Sequence, residues 1–228
     1  LPVDPSASTS GHYVQFTSGA LLGQWFQVSS SDSTTITVAE DLVALGAVAS
    51  DGVKVVPFWT LSSLFAGNFP VSTDPFSAVA QVLFNDVTAI GINLAPNRNY
   101  AFHDGYSGFV SAGWFDVNNA FGGVQDDVLI APNSFITIRN QSGAQYDITV
   151  AGAVPVDALN IGVVANGSVA NDNLVFNPYP AAIQLSTSAL ATVVAVSTDP
   201  FNPVDQVIVY GTPTGLNPAP SSNYAYHD

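Results

Sequence analysis

The chain has 228 residues, with 17 acidic side chains against three basic ones, a net charge of −14 and no cysteine. Phosphate is recognised by clustered Lys and Arg, so nucleic acid and anionic membrane surfaces are excluded as electrostatic partners, and the missing thiols exclude disulfides and thiolate metal sites. A hydrophobic fraction of 47% is enough to build a sizeable core, yet no apolar run reaches the roughly 20 residues of a membrane helix.

Sixteen of the acids are Asp and only Glu40 is Glu. Asp favours turns and caps while Glu favours helix interiors, so with 18 Gly and 15 Pro the chain reads as strands joined by turns. It starts at Leu1 and lacks Met. That start predicts a processed N-terminus after signal-peptide removal, in a bacterial extracellular or cell-surface protein.

In chain order, residues 1–9 are rich in Pro and Ser and predict an extended arm. Residues 11–16 (GHYVQF) alternate, with Val14 and Phe16 on one face, and predict a strand. Residues 25–29 and 35–38 are the next strands, and 40–47 form a short helix or a loop. Asp51-Gly52 turns the chain into a strand at 53–58. Thr60 caps a single helical turn presenting Leu61, Leu64 and Phe65. Strands follow at 80–85, 100–103 and 113–117. Residues 127–130 and 134–140 flank Pro132-Asn133 as a predicted hairpin. Beyond 150, residues 171–179 stand where 53–59 stood, 181–190 parallel the Leu61 turn, and 204–210 match the strand at 80–85.

The last match belongs to a long repeat. Residues 71–104 (VSTDPFSAVAQVLFNDVTAIGINLAPNRNYAFHD) return as 196–228 (VSTDPFNPVDQVIVYGTPTGLNPAPSSNYAYHD), at an offset of 125 residues at the start and 124 at the end. The predicted fold class is all-β. It comprises two tandem sandwich-like or barrel-like repeat domains with short helical turns. The expected divisions are an arm or strand at 1–16, a first domain at 17–150 and a second at 151–228. The second copy has no counterpart of GWFDV, DVLIAP or SFITIRN and is expected to be incomplete. A truncated chain and a smaller second domain are the alternatives.

Segments PFWTLSSLF (57–65), INLAPNRNYAFHDG (92–105), GWFDV (113–117) and DDVLIAPNSFITIRN (126–140) come in an order that resembles an uncharacterised family of secreted bacterial repeat proteins. The resemblance implies secretion and repetition. It implies no activity, cofactor or catalytic residue.

Candidate chemistry is sparse. His103-Asp104 and His227-Asp228 form a repeated pair, read as strand-end His and turn Asp rather than an acid/base dyad, which needs a third group and a cleft. Asp116, Asn118, Asp126 and Asp127 are candidate calcium ligands, although Phe121 stands where an EF-type loop needs Gly. No pair of carboxylates is singled out for glycoside hydrolysis, and Gly105-Tyr106-Ser107-Gly108 stops short of a nucleophile elbow. Trp25, Trp59, Trp114, Tyr100, Tyr106 and Tyr146 read as core more readily than as a sugar-stacking platform. Asn140-Gln141-Ser142 and Asn166-Gly167-Ser168 match the glycan-acceptor pattern. The expected function is therefore non-enzymatic and without cofactor: a self-associating structural subunit. Strand addition by Tyr13, Val14 and Phe16 against Val207 and Val209 would complete the second domain and polymerise the protein. The alternative is a glycan-binding or adhesion module.

Overall fold

The computed structural model describes residues 11–65, 67–74, 76–105, 111–152, 156–165, 167, 169–177, 182–211, 215 and 218–227. The fold is all-β, and the chain divides into two compact units, Leu1–Pro178 and Tyr179–Asp228.

In the first unit, β1 (His12–Phe16), β2 (Trp25–Ser31), β3 (Ile36–Val38) and β4 (Val53–Pro57) form an antiparallel sheet in the order β3-β2-β1-β4. The alternation read in 11–16 sets its core, where Val14, Phe16, Leu21 and Phe26 are buried together. One expectation is corrected here. β1 is an interior strand, with Val14 opposite Phe26 on one edge and Val55 on the other. It therefore has no free edge to donate. The expected arm at 1–9 lies outside the described residues.

The boundary between units falls later than the expected 150/151. Residues 157–173 are tied back to the first unit: Gln15 Nε2 donates to the Ala158 carbonyl at 2.9 Å, Lys54 pairs with Asp157, and Asn93 N–H donates to Asp172 Oδ2 at 2.7 Å. Gly23, at φ +80°, fits because an added Cβ would sit 2.9 Å from the Asn160 backbone nitrogen. Residues 171–177 carry no strand. The amides of Asn171 and Asn173 bond instead to the Val164 carbonyl.

β5 (Trp59–Thr60) leads straight into α1 (Leu61–Phe65). The cap is reciprocal: Ser63 N–H donates to Thr60 Oγ1 at 3.1 Å, and Thr60 N–H donates to Ser63 Oγ at 2.7 Å. Leu61 and Phe65 drop into the larger core.

That core lies on a second sheet made of β6 (Val71–Ser72), β7 (Ala80–Phe84), β8 (Arg98–His103), β9 (Gly113–Asp116) and β11 (Ile136–Asn140). β8 is central. β7 runs antiparallel along one edge, β6 continues that edge in parallel, and β9 takes the opposite edge. β11 covers the far edge of β7. The predicted hairpin at 127–140 is thus corrected. β10 (Leu129–Ile130) pairs with β5 and β11 with β7, so the two flank a turn without pairing each other.

Both faces of this sheet are covered. One carries Phe65, Phe69, Val82, Phe84, Tyr100 and Trp114; the other carries Ala101, Phe115 and Ala120.

The second unit holds a 3-10 turn (Leu185–Thr187), α2 (Leu190–Val193), and the antiparallel pair β12 (Val207–Val209) and β13 (Ser222–Tyr224). Ser197 adds a parallel bridge to His227. Among the described residues no helix is long and apolar enough to cross a membrane.

Candidate functional site

The repeated segment builds the same hydrogen-bonded turn twice. In the first copy Val79 N–H donates to Ser72 Oγ at 3.0 Å, and Phe76 N–H donates to Asp74 Oδ1 at 2.8 Å. In the second, Val204 N–H donates to Ser197 Oγ and Phe201 N–H to Asp199 Oδ1, both at 2.8 Å. Registers also agree. Val82 faces Tyr100 as Val207 faces Tyr224, and Ser72 faces His103 as Ser197 faces His227. Ser72 and Ser197 are both fully buried. The Ser-Thr-Asp-Pro-Phe sequence supplies what this needs: a hydroxyl to accept one backbone donor and a carboxylate to accept another. The Asn202 side-chain amide and the Phe201 N–H hold the Asp199 carboxyl below its usual range.

Coverage is where the copies part. Leu83, Phe84 and Tyr100 of the first copy are 3%, 1% and 6% exposed, while their counterparts Ile208, Val209 and Tyr224 are 40%, 39% and 49% exposed. The cause is topological. β7 and β8 are flanked by β11 and β9, whereas β12 and β13 pair only with each other among the described residues. Among the described residues no strand pairs with the outer edges of β12 and β13, which lie beside exposed aliphatic and tyrosine side chains. Beside them lies a groove of about 340 Å³ lined by Ser197, Pro200, Pro203, Asn223, Ala225 and His227. This open half-sheet is the candidate site.

Val207 and Val209, expected at a subunit contact, lie on β12 within it. Tyr13, Val14 and Phe16 do not serve as the donor in this structure. They sit inside the β1–β2–β4 ladder, and burial raises the Tyr13 phenol above its ordinary pKa.

The other sequence candidates resolve individually. His103 is fully buried against Phe115; its Nδ1 accepts from Gly105 N–H at 2.8 Å and stands 3.9 Å from Asp104 Oδ1. It is packed as a core residue. Among the candidate calcium ligands, the carboxylates of Asp116 and Asp126 accept backbone hydrogen bonds. Asn118 N–H donates to Asp116 Oδ1 and Trp114 N–H to Asp126 Oδ1, both at 2.8 Å, and among the described residues no three acids or histidines gather as a metal site. Asp126 also shapes the start of β9. Gly113 has φ +147°, and an added Cβ would meet Val124 at 2.8 Å and Asp126 at 3.0 Å.

Trp114 and Tyr100 are buried and Trp59 is exposed. Tyr13, Trp25 and Phe58 form an aromatic trio with centroids 4.9–5.8 Å apart. Tyr106 and Ser107 lie outside the described residues, as do Asn166 and Ser168 of the second acceptor pattern. Asn140 of the first is tied into its own turn, donating to the Ala144 carbonyl at 2.6 Å.

The groove itself escaped the sequence reading. Its signal was present in the Ala-x-His pattern shared by Ala101-Phe102-His103 and Ala225-Tyr226-His227, which points the small and the imidazole side chains to one face of the strand.

No protein-family model matches the chain, and no match is found among curated proteins or solved structures.

Proposed function

We propose that this protein is a structural β subunit that assembles with neighbouring chains through the open sheet of its second unit. The observation that carries the reading is the contrast between the two copies. One motif with one set of turn hydrogen bonds is enclosed by flanking strands in the first unit, and among the described residues no strand flanks it in the second. Strand addition satisfies both deficits together, since it pairs the edge amides and covers the apolar side chains. Ile208 and Val209 are 40% and 39% exposed, so covering what remains of each contributes about 0.6–1.2 kcal/mol, and several such residues together with the edge hydrogen bonds favour association. A contact of this kind between two different surfaces builds a ring where its rotation closes and a linear assembly where it does not.

The test is sedimentation velocity on the full chain at increasing concentration, beside the double variant Val207→Lys/Val209→Lys. Charged side chains on an edge strand block pairing. The expected result is concentration-dependent oligomers for the parent and monomers for the variant. Trp25, Trp59 and Trp114 all lie within Leu1–Pro178, so unchanged Trp fluorescence verifies that the first unit is intact. A parent that stays monomeric contradicts the reading.

The second reading is glycan binding, for which Trp59, 41% exposed, offers a ring face. A glycan array without signal removes it.

A further inference from the structure

We infer that His103 is an acid-operated latch, whose protonation loosens β9 from the edge of β8. The burial and bonding of its imidazole carry the inference. His103 ends β8, lies opposite Ser72 of β6 and Gly113 of β9, and is fully buried. Its Nδ1 accepts the Gly105 N–H at 2.8 Å, so the ring proton stands on Nε2, where it is buried without an acceptor. The ring is edge-on to Phe115 at 5.6 Å and 88°. Phe115 is 1% exposed and seats β9 on Ala101.

A second proton can enter only at Nδ1, the one nitrogen that carries a lone pair. Two N–H donors would then face each other, and the bond from Gly105 is lost. The closed geometry and the imidazolium therefore exclude one another, and acid populates the form in which the turn after β8 has moved.

The groups around the ring decide where that turn goes. Ser72 is opposite on β6, and its hydroxyl already accepts the Val79 N–H. On β9 the neighbours are Gly113 and Phe115, and neither ionises. Asp126, at the start of β9, is engaged by the Trp114 N–H. Asp104 remains. Its Oδ1 stands 3.9 Å from Nδ1, too far for a hydrogen bond, and its side chain is half exposed. A movement of residues 103–105 that brings the imidazolium to this carboxylate draws the ring away from Phe115. The register His103 to Gly113 is the end of the β8–β9 ladder, so the strand is released from that end. What acid frees is the edge of β8 together with Trp114 and Phe115, which pack on opposite faces of the sheet.

The experiment measures hydrogen–deuterium exchange of the full chain at about pH 7.5 and about pH 5.5, corrected for the intrinsic pH dependence of exchange, because histidine changes charge in that window and Asp and Glu ordinarily change below it. The parent is compared with His103→Gln, which keeps a neutral acceptor and cannot take up the proton. The expected result is that protection at residues 113–116 falls at least about tenfold toward the lower pH in the parent and holds in His103→Gln. His227→Gln, the same change in the second copy, should respond as the parent does. Imidazole chemical shifts of the parent give a readout that needs no variant to fold: His103 should take up its proton at the midpoint of the loss of protection. Four results overturn the latch: equal protection at both pH values in the parent, an equal fall in the parent and His103→Gln, a response abolished by His227→Gln, or a His103 that titrates while residues 113–116 stay protected.

Discussion

His103 and His227 hold the same place in the same motif, yet one is enclosed and the other exposed. The difference lies in what surrounds them, and single residues can be made to report it. Ser72 is fully buried and accepts the Val79 N–H. Ser72→Ala leaves that donor without its acceptor, so urea unfolding of the first unit should show a loss of roughly 1–3 kcal/mol. Ser197→Ala removes the matching bond to Val204 N–H. Val204 is exposed, and water can replace the hydroxyl there, so the expected loss is under about 1 kcal/mol. Carboxylates give a second report. Asp86 is held below its usual range by the Thr88 hydroxyl and backbone N–H, and Asp32 by the backbone N–H groups of Thr34 and Thr35. Each folded value is depressed, so the unfolded chain binds protons first as pH falls. Their contribution is therefore present above an unfolded Asp pKa of about 3.9 and is lost as pH drops through the lower folded values. The urea midpoint, followed from about pH 6 to about pH 2, should fall in that window, and Asp86→Asn should reduce the fall.

Elements were legible where the signal is local. The alternation in 11–16 and the strands read at 80–85 and 100–103 are present in the structure, and Thr60 with Leu61, Leu64 and Phe65 gave α1. Thr60→Ala should cost about 0.5–2 kcal/mol, read by thermal unfolding, because the Ser63 N–H loses its acceptor. Pairing was less legible, because a ladder is chosen by partners distant in sequence. Ser134 N–H does bond to the Ala131 carbonyl and makes the turn at Pro132-Asn133. The strands on either side then depart to β5 and β7, whose burial outweighs a short local hairpin. β1 was misjudged for the same reason. Its partners β2 and β4 were visible as strands, but nothing in GHYVQF announces that both edges are taken. β9 links the element to the site. Trp114→Ala should destabilise the first unit by roughly 3–5 kcal/mol and remove a near-ultraviolet circular dichroism band, since its ring packs on Phe65, Phe69 and Phe102.

For the whole molecule, the repeat was the most legible feature of the candidate site and the groove the least. Recurrence of VSTDPF and NYA-x-HD placed two like segments, and each forms the same turn and the same pair of strands. What the sequence withheld was the face on which the second copy stands open, because exposure depends on neighbours and not on the residue itself. A net charge of −14 also sets the conditions for assembly. Like-charged copies repel, and salt screens that repulsion, so association should strengthen between about 0.01 M and about 0.15 M salt. The most direct measurement is hydrogen–deuterium exchange of the full chain at low and high protein concentration, read at residues 207–209 and 222–226. The account predicts that these edge amides gain protection as concentration rises while β7 and β8 remain protected throughout. Amides at 207–209 and 222–226 that exchange equally fast at every concentration would contradict it.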